Sequence, residues 1–336
     1  MELQLQNVGI IKECSIELNG LTIIAGENGS GKSTAAKALY FLLKKYDFLE
    51  KRYSTKDEKS HLVQNNLLIE EIFKCSMQKA VMLLKKDRKI LLQWSALKEH
   101  EESDKKKISH EKLDSSFPIY IESPLIWDLN DLLRDLAQIE STMGIKVDTP
   151  FFMQDLNFKL HIKSSKNGLK ITDSLLELMG GVFRKASDDR YYFYKENFQI
   201  DVTNTASGIK SFGILQILSE NNWLREDTFL IFDQPEVFLH PIWQVEMAKI
   251  LITLVKSGVS VFVNCDSPYM LEAFKRYSEV MAIEEKTNFY FAQDGYIVQI
   301  EESNSKTLAK IFEKLSEPFA LFEKIESKVI EKSFNE

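Results

Sequence analysis

Residues 26–34 read Gly-Glu-Asn-Gly-Ser-Gly-Lys-Ser-Thr and follow directly on the apolar run "LTIIA". The stretch fits G-x-x-x-x-G-K-[ST] behind a strand and ahead of a helix, the context that makes this pattern specific. No other segment constrains the fold as tightly: a strand must end at the loop and a helix must begin near Lys32. Gly26, Gly29 and Gly31 let the backbone turn with its N–H groups facing inward, and Asn28, Ser30 and Thr34 complete the nucleotide-binding loop. The helix N-terminus adds its positive end, Lys32 reaches the β- and γ-phosphates, and Ser33 offers a hydroxyl to Mg²⁺. ATP and Mg²⁺ are therefore the expected ligands.

The surrounding pattern predicts alternating strands and helices. "LQLQNV", "CSIEL" and "LTIIA" read as strands, with a helix over 32–44; "FPIYIES" is a strand and "LNDLLRDLAQIE" a helix. Residues 150–180 read as helical, and "VFRKA", "YYFYK" and "FQIDV" as a strand group. A helix over 209–220, the strand "TFLIFD", a helix over 241–256, the strand "VSVFVN", a short helix and a hairpin at Asp294-Gly295 complete the core. Such alternation implies a largely parallel sheet covered on both faces.

The 336 residues, 44% of them hydrophobic, are ample for a packed core of one or two domains. Between residues 46 and 116 the composition shifts to charge-dense runs flanking "HLVQNNLLIEEIFKCSMQKAVMLLKK", whose apolar spacing predicts a mainly helical insertion. With 43 Lys+Arg against 50 Asp+Glu, a net charge of −7 supplies no overall field toward nucleic acid or an anionic membrane. Cys14, Cys75 and Cys265 form no zinc or disulfide pattern and read as small buried hydrophobes. No run is long enough to span a membrane and no leader pattern opens the sequence, so a cytoplasmic location is expected.

"FLIFDQPEVFLHP" (229–241) delivers Asp233 from an apolar strand, as a Mg²⁺-holding carboxylate requires. The next position, where a general base is expected, is Gln234. A carboxamide orients water but does not accept its proton at neutral pH.

"GENGSGKST" behind "NVGIIKECSIEL", with "ASGIKSFGILQIL", "LIFDQPEVFLHP" and "NCDSPYMLEAF", resembles the ABC-type ATPase heads of SMC, RecF and OLD-like proteins. It is close to those OLD-like AAA ATPases that carry no attached nuclease. The resemblance implies an α/β head of the P-loop NTPase class, with a mainly parallel core sheet, N-terminal antiparallel strands and a helical insertion. The head spans 1–45 and 117–302, the charged insertion 46–116, and a helical tail 303–336. It implies a homodimer across ATP, each nucleotide lying between one protomer's P-loop and the other's signature segment, here "TASGIKS" with Ser207 and Gly208. On local sequence alone those two residues read as a Ser N-cap and a helix start. "FLHP" falls where the family's D-loop touches the partner, which implies His240 at the dimer seam; without the family His240 is an ordinary N-cap or surface residue.

The family's switch His is replaced by Asp266. Two readings stand: the switch is lost, or Asp266 is a relocated base for water held by Gln234. Glu236 is expected to cap the turn or face the adenine side. The first functional reading is an ATP-gated dimeric switch with slow hydrolysis that regulates a protein effector in an anti-phage or toxin-type system. The second is a DNA-bound RecF-like repair ATPase, for which Lys85, Lys86, Arg88, Lys89 and Lys105 to Lys107 are the candidate nucleic-acid contacts. A stripe of Leu308, Ile311, Phe312, Leu315, Phe319, Phe322 and Ile325, broken by Pro318, either packs on the domain or offers a partner surface.

Overall fold

The computed structural model describes residues 1–52, 79–87, 89–95, 117–144 and 150–334. Strands β1 (Glu2–Val8), β2 (Ile11–Glu17) and β3 (Leu21–Gly26) lead into helix α1 (Lys32–Arg52). β4 (Val81–Lys86), β5 (Lys89–Ser95) and β6 (Phe117–Ile121) precede α2 (Ile126–Met143), α3 (Phe151–His161) and α4 (Thr172–Met179). A separate antiparallel sheet, β7 (Val182–Lys185), β8 (Tyr191–Lys195) and β9 (Phe198–Asp201), is followed by α5 (Ser207–Glu220) and β10 (Thr228–Asp233). The chain continues through α6 (Pro241–Lys256), β11 (Ser260–Asn264), α7 (Pro268–Val280), β12 (Thr287–Gln293), β13 (Tyr296–Val298) and α8 (Asn304–Phe334).

The large sheet runs β5-β4-β1-β2-β13-β12-β3-β11-β10-β6. Its working half, from β12 through β3, β11 and β10 to β6, is parallel, whereas β1, β2, β4 and β5 pair antiparallel. The period of two divides the core: Ile23, Val261, Leu230 and Ile119 face one layer with α5, α6 and α7, while Ile24, Phe262, Ile231 and Tyr120 face the other with α1. Near-continuous apolar strands such as "TFLIFD" are buried on both faces, as parallel strands covered by helices are.

Three expectations change. Within 46–116, α1 extends to Arg52, and Val81–Lys86 and Lys89–Ser95 form β4 and β5, which add to the edge of the main sheet against β1. Met82, Leu84 and Leu92 bury into the same cluster as α1, and a short apolar run does not by itself distinguish helix from strand. The remainder of that insertion, Cys75, Arg88 and Lys105 to Lys107 lie outside the described residues. Second, Pro318 sits inside a continuous α8 rather than breaking it. Third, the N-cap of α5 is Ala206, with no side-chain cap, and Ser207 is the first helical residue. Cys14 and Cys265 are buried, as expected.

Candidate functional site

β3 ends at Gly26, whose φ of 152° brings its α-carbon against β12: a Cβ there would lie 2.0 Å from the Ala292 carbonyl oxygen. Gly31, at φ 106°, would push a Cβ to 2.6 Å from the Ile11 side chain. These two positions require glycine, so the tight loop is fixed by its neighbours on β12 and β2. Ser33 is exposed on the first turn of α1, and Ser30 is buried with its hydroxyl lacking a partner among the described residues.

Sheet order brings the second half of the site alongside. β10 is separated from β3 only by β11, so Asp233 and Asp266, at or just beyond the C-terminal ends of their strands, reach the same edge as the loop. Asp233 is buried; its Oδ2 accepts from the Tyr120 hydroxyl at 2.9 Å and its Oδ1 from the Asn264 amide at 2.7 Å. Burial, then the neighbouring Asp233 charge, holds the Tyr120 hydroxyl well above its ordinary pKa, so it remains a donor. Gln234 is exposed, adopts a left-handed φ of 54° and donates its N–H to the Asn264 carbonyl at 2.9 Å. A non-glycine residue in that region is uncommon and concentrates at functional turns.

Asp266 takes up the charge of the loop. Its Oδ2 lies 2.9 Å from the Lys32 ammonium and its Oδ1 accepts the Gly26 N–H at 3.1 Å. Lys32 also donates to the carbonyls of Gly26 and Glu27. Glu236 turns toward the Asp266 loop: its Oε1 accepts the Asp266 N–H at 2.7 Å, and its Oε2 is buried with no partner among the described residues. Burial lifts the Glu236 carboxyl to about 7 against the opposing Asp266 N–H bond.

The α5 start lies beside the turn after β10. Gly208 is buried there: a Cβ would come within 3.1 Å of the Phe238 carbonyl and 3.3 Å of the Trp243 ring. Lys210 points into its own lobe, onto Asp128 Oδ1 at 2.5 Å and the Thr203 carbonyl at 3.0 Å. His240 is the N-cap of α6, its Nδ1 accepting the Ile242 N–H at 3.4 Å, and it is exposed. Of the basic candidates, Lys85 donates to Gln4 on the outer strands.

Thus Gly26 to Thr34, Asp233, Gln234 and Asp266 share one sheet edge, while Ser207 and Gly208 stand at a separate helix start. Tyr120 and Asn264 were missed, and Glu236 was read without its bond to the Asp266 N–H. Asn264 had a signal, as a polar residue closing the apolar "VSVFV"; Tyr120 had none, because its role depends on which strand lies beside β10.

The residues suit a Mg-nucleotide: backbone N–H groups and Lys32 for phosphates, Asp233 and Ser33 for the cation, and unpartnered buried oxygens on Ser30 and Asn264 at the same edge. An AAA ATPase domain family matches residues 1–116. The chain is thus similar to ATPases of the ABC and OLD-like kind. A 235-residue stretch is 27% identical to the Old nuclease of Escherichia phage P2, covering 67% of this chain and 36% of that protein, so the ATPase chain matches little more than a third of that relative's length. Among solved structures, the ATPase domain is similar to an SMC head bound to the C-terminal winged-helix domain of ScpA (14% identity, 90% of this chain and 98% of that one, TM-score 0.47). It is also similar to the SMC head domain from Thermotoga maritima (12% identity, 88% and 96%, TM-score 0.41). Among the described residues of this ATPase, no helix is long and apolar enough to cross a membrane.

Proposed function

We propose that this ATPase is an ATP-gated dimeric switch that hydrolyses its nucleotide slowly and regulates a protein effector. The observation that carries the reading is Gln234, presented on a left-handed turn directly after the Mg²⁺-type carboxylate Asp233, where a base would be needed. Lys32 and the loop N–H groups would hold the phosphates, and Asp233 and Ser33 would hold Mg²⁺, which would supply positive charge beside them. Gln234 orients the attacking water through its carboxamide but leaves the water's proton without an acceptor. Asp266 is committed to Lys32 and Gly26, which supports the lost-switch reading over a relocated base.

Dimerisation across ATP is supported by the surface next to Gln234, where Val237, Phe238, His240 and Ile242 are exposed together and adjoin the Gly208 helix start. An effector of the anti-phage or toxin type follows from the OLD-like resemblance, and the exposed outer part of α8 is a surface for it.

Phosphate release from the parent, Gln234→Glu and Asp266→Asn proteins, measured side by side with Mg²⁺, tests this function. Gln234→Glu supplies a carboxylate to take the water proton and is expected to raise the rate by ~10²–10⁴. Asp266→Asn is expected to leave the low rate alone. A fast parent that Asp266→Asn stops would make Asp266 the base and remove the slow-switch reading.

A further inference from the structure

An ammonium has three N–H donors, and the structure engages all three of those on Lys32 within the protein. They meet the Gly26 carbonyl at 2.8 Å, the Glu27 carbonyl at 2.9 Å and Asp266 Oδ2 at 2.9 Å. The second Asp266 oxygen accepts the Gly26 N–H. One carboxylate therefore occupies both an ammonium and a loop N–H, the kinds of donor that such a loop presents to phosphate oxygens.

The backbone holds that carboxylate in place. The Cys265 N–H bonds the Ile24 carbonyl at 3.0 Å, the Asp266 N–H bonds Glu236, and Ser267 caps α7 by accepting the Met270 N–H at 3.3 Å. Lys32 is 6% exposed and Asp266 23%, so solvent screens the pair weakly.

We propose that Asp266 is an internal counter-anion that competes with the terminal phosphate of the nucleotide, and so sets the preference between nucleoside triphosphate and diphosphate. The proposal rests on the nucleotide-binding reading above. A diphosphate, whose β-phosphate can take a Lys32 donor from the Gly26 or Glu27 carbonyl, leaves the Lys32–Asp266 pair room to persist. A triphosphate adds a γ-phosphate that must displace Asp266 from Lys32 and must bring its added charge against the carboxylate. Withdrawal of Asp266, by a partner or by movement of α7, then raises affinity for ATP above that for ADP, because a ligand shifts a site only by its differential interaction with the two states.

Calorimetric titration of ATP and of ADP, each with and without Mg²⁺, into the parent, Asp266→Asn and Asp266→Ala tests the proposal. The ratio of ATP to ADP affinity is expected to rise by about fivefold or more in both variants, the lower end of ordinary coupling energies. A ratio that moves less than that, or equal tightening of both nucleotides, overturns it. The unsubstituted chain gives a reading that needs no variant to fold: ATP is expected to bind no more than about tenfold tighter than ADP, and a larger preference overturns the proposal. A parent that binds neither nucleotide removes the P-loop reading itself, an outcome distinct from binding with an unchanged ratio.

Discussion

Glu236 is the most perturbed acid of the site. Its carboxyl is raised from 4.5 to about 7 by burial, with only the Asp266 N–H and weaker bonds opposing the shift. A folded pKa above the unfolded one means the native state binds the proton more tightly. The associated stability is present in full below about 4.5 and is lost as pH rises through 7. Glu236→Gln keeps an oxygen to accept the Asp266 N–H while removing the charge. Thermal unfolding across pH 5–8 is expected to show the parent losing stability relative to Glu236→Gln, the difference growing with pH by roughly 2–4 °C for each kcal/mol. A difference that stays constant over that range would show that the carboxyl does not titrate there.

At the scale of elements, α8 divides at about its fourth turn into two regimes. Leu308 and Ile311 are buried against the sheet, Phe312 and Leu315 are half-buried, and beyond Pro318 the side chains of Phe319, Leu321, Phe322 and Ile325 lie in the open. Leu308→Ala is expected to cost about 2–5 kcal/mol in urea unfolding, the range for a buried leucine truncated to alanine. Phe319→Ala, although it removes more atoms, is expected to stay within about 0.5 kcal/mol because its ring is 67% exposed. Equal losses at the two positions would mean that the outer turns of α8 are covered. The apolar spacing of this helix was legible in the sequence, but its period could not say where the domain beneath it ends. The same limit explains β4 and β5: Val81, Leu83 and Leu84 fit an apolar helical stripe as readily as a strand, and only pairing with β1 decides. Pro318 was read as a break, yet the proline is carried within the helix. By contrast, β3, the loop and α1 were legible together, since their chemistry is contiguous. So were Asp233, Gln234 and Asp266, each marked by a motif at a strand end. Tyr120 and Glu236 were not, because a hydrogen bond across 113 residues or a carboxylate turned back under a neighbouring loop is fixed by strand order.

For the whole molecule, the decisive question is whether two copies close over nucleotide. Ser207 is half-buried at the first position of α5, whose N-terminus has no side-chain cap. Ser207→Arg would project a long cation into the face proposed to meet the partner's nucleotide, leaving the Gly26 to Thr34 loop untouched. It is expected to retain ATP binding and to lose ATP-dependent dimerisation in light scattering, by tenfold or more in dissociation constant for each ~1.4 kcal/mol of clash. An oligomeric state that is the same with and without ATP in the parent would remove the sandwich arrangement.

The insertion of β11 between β3 and β10 also governs when the site comes into being. Gly26 and its Asp266 partner are 240 residues apart in the chain, and Asp233 finds its Asn264 partner only on the strand laid down next. During synthesis the glycine loop emerges early, yet the strand that completes its surroundings is among the last of the parallel set to appear. Contacts of such long range form late and slowly. A nascent or truncated chain ending before β11 would therefore display the loop without Asp266 and with Asp233 lacking its Asn264 partner, so the Lys32–Asp266 contact doubles as a report that translation and folding of the core are finished.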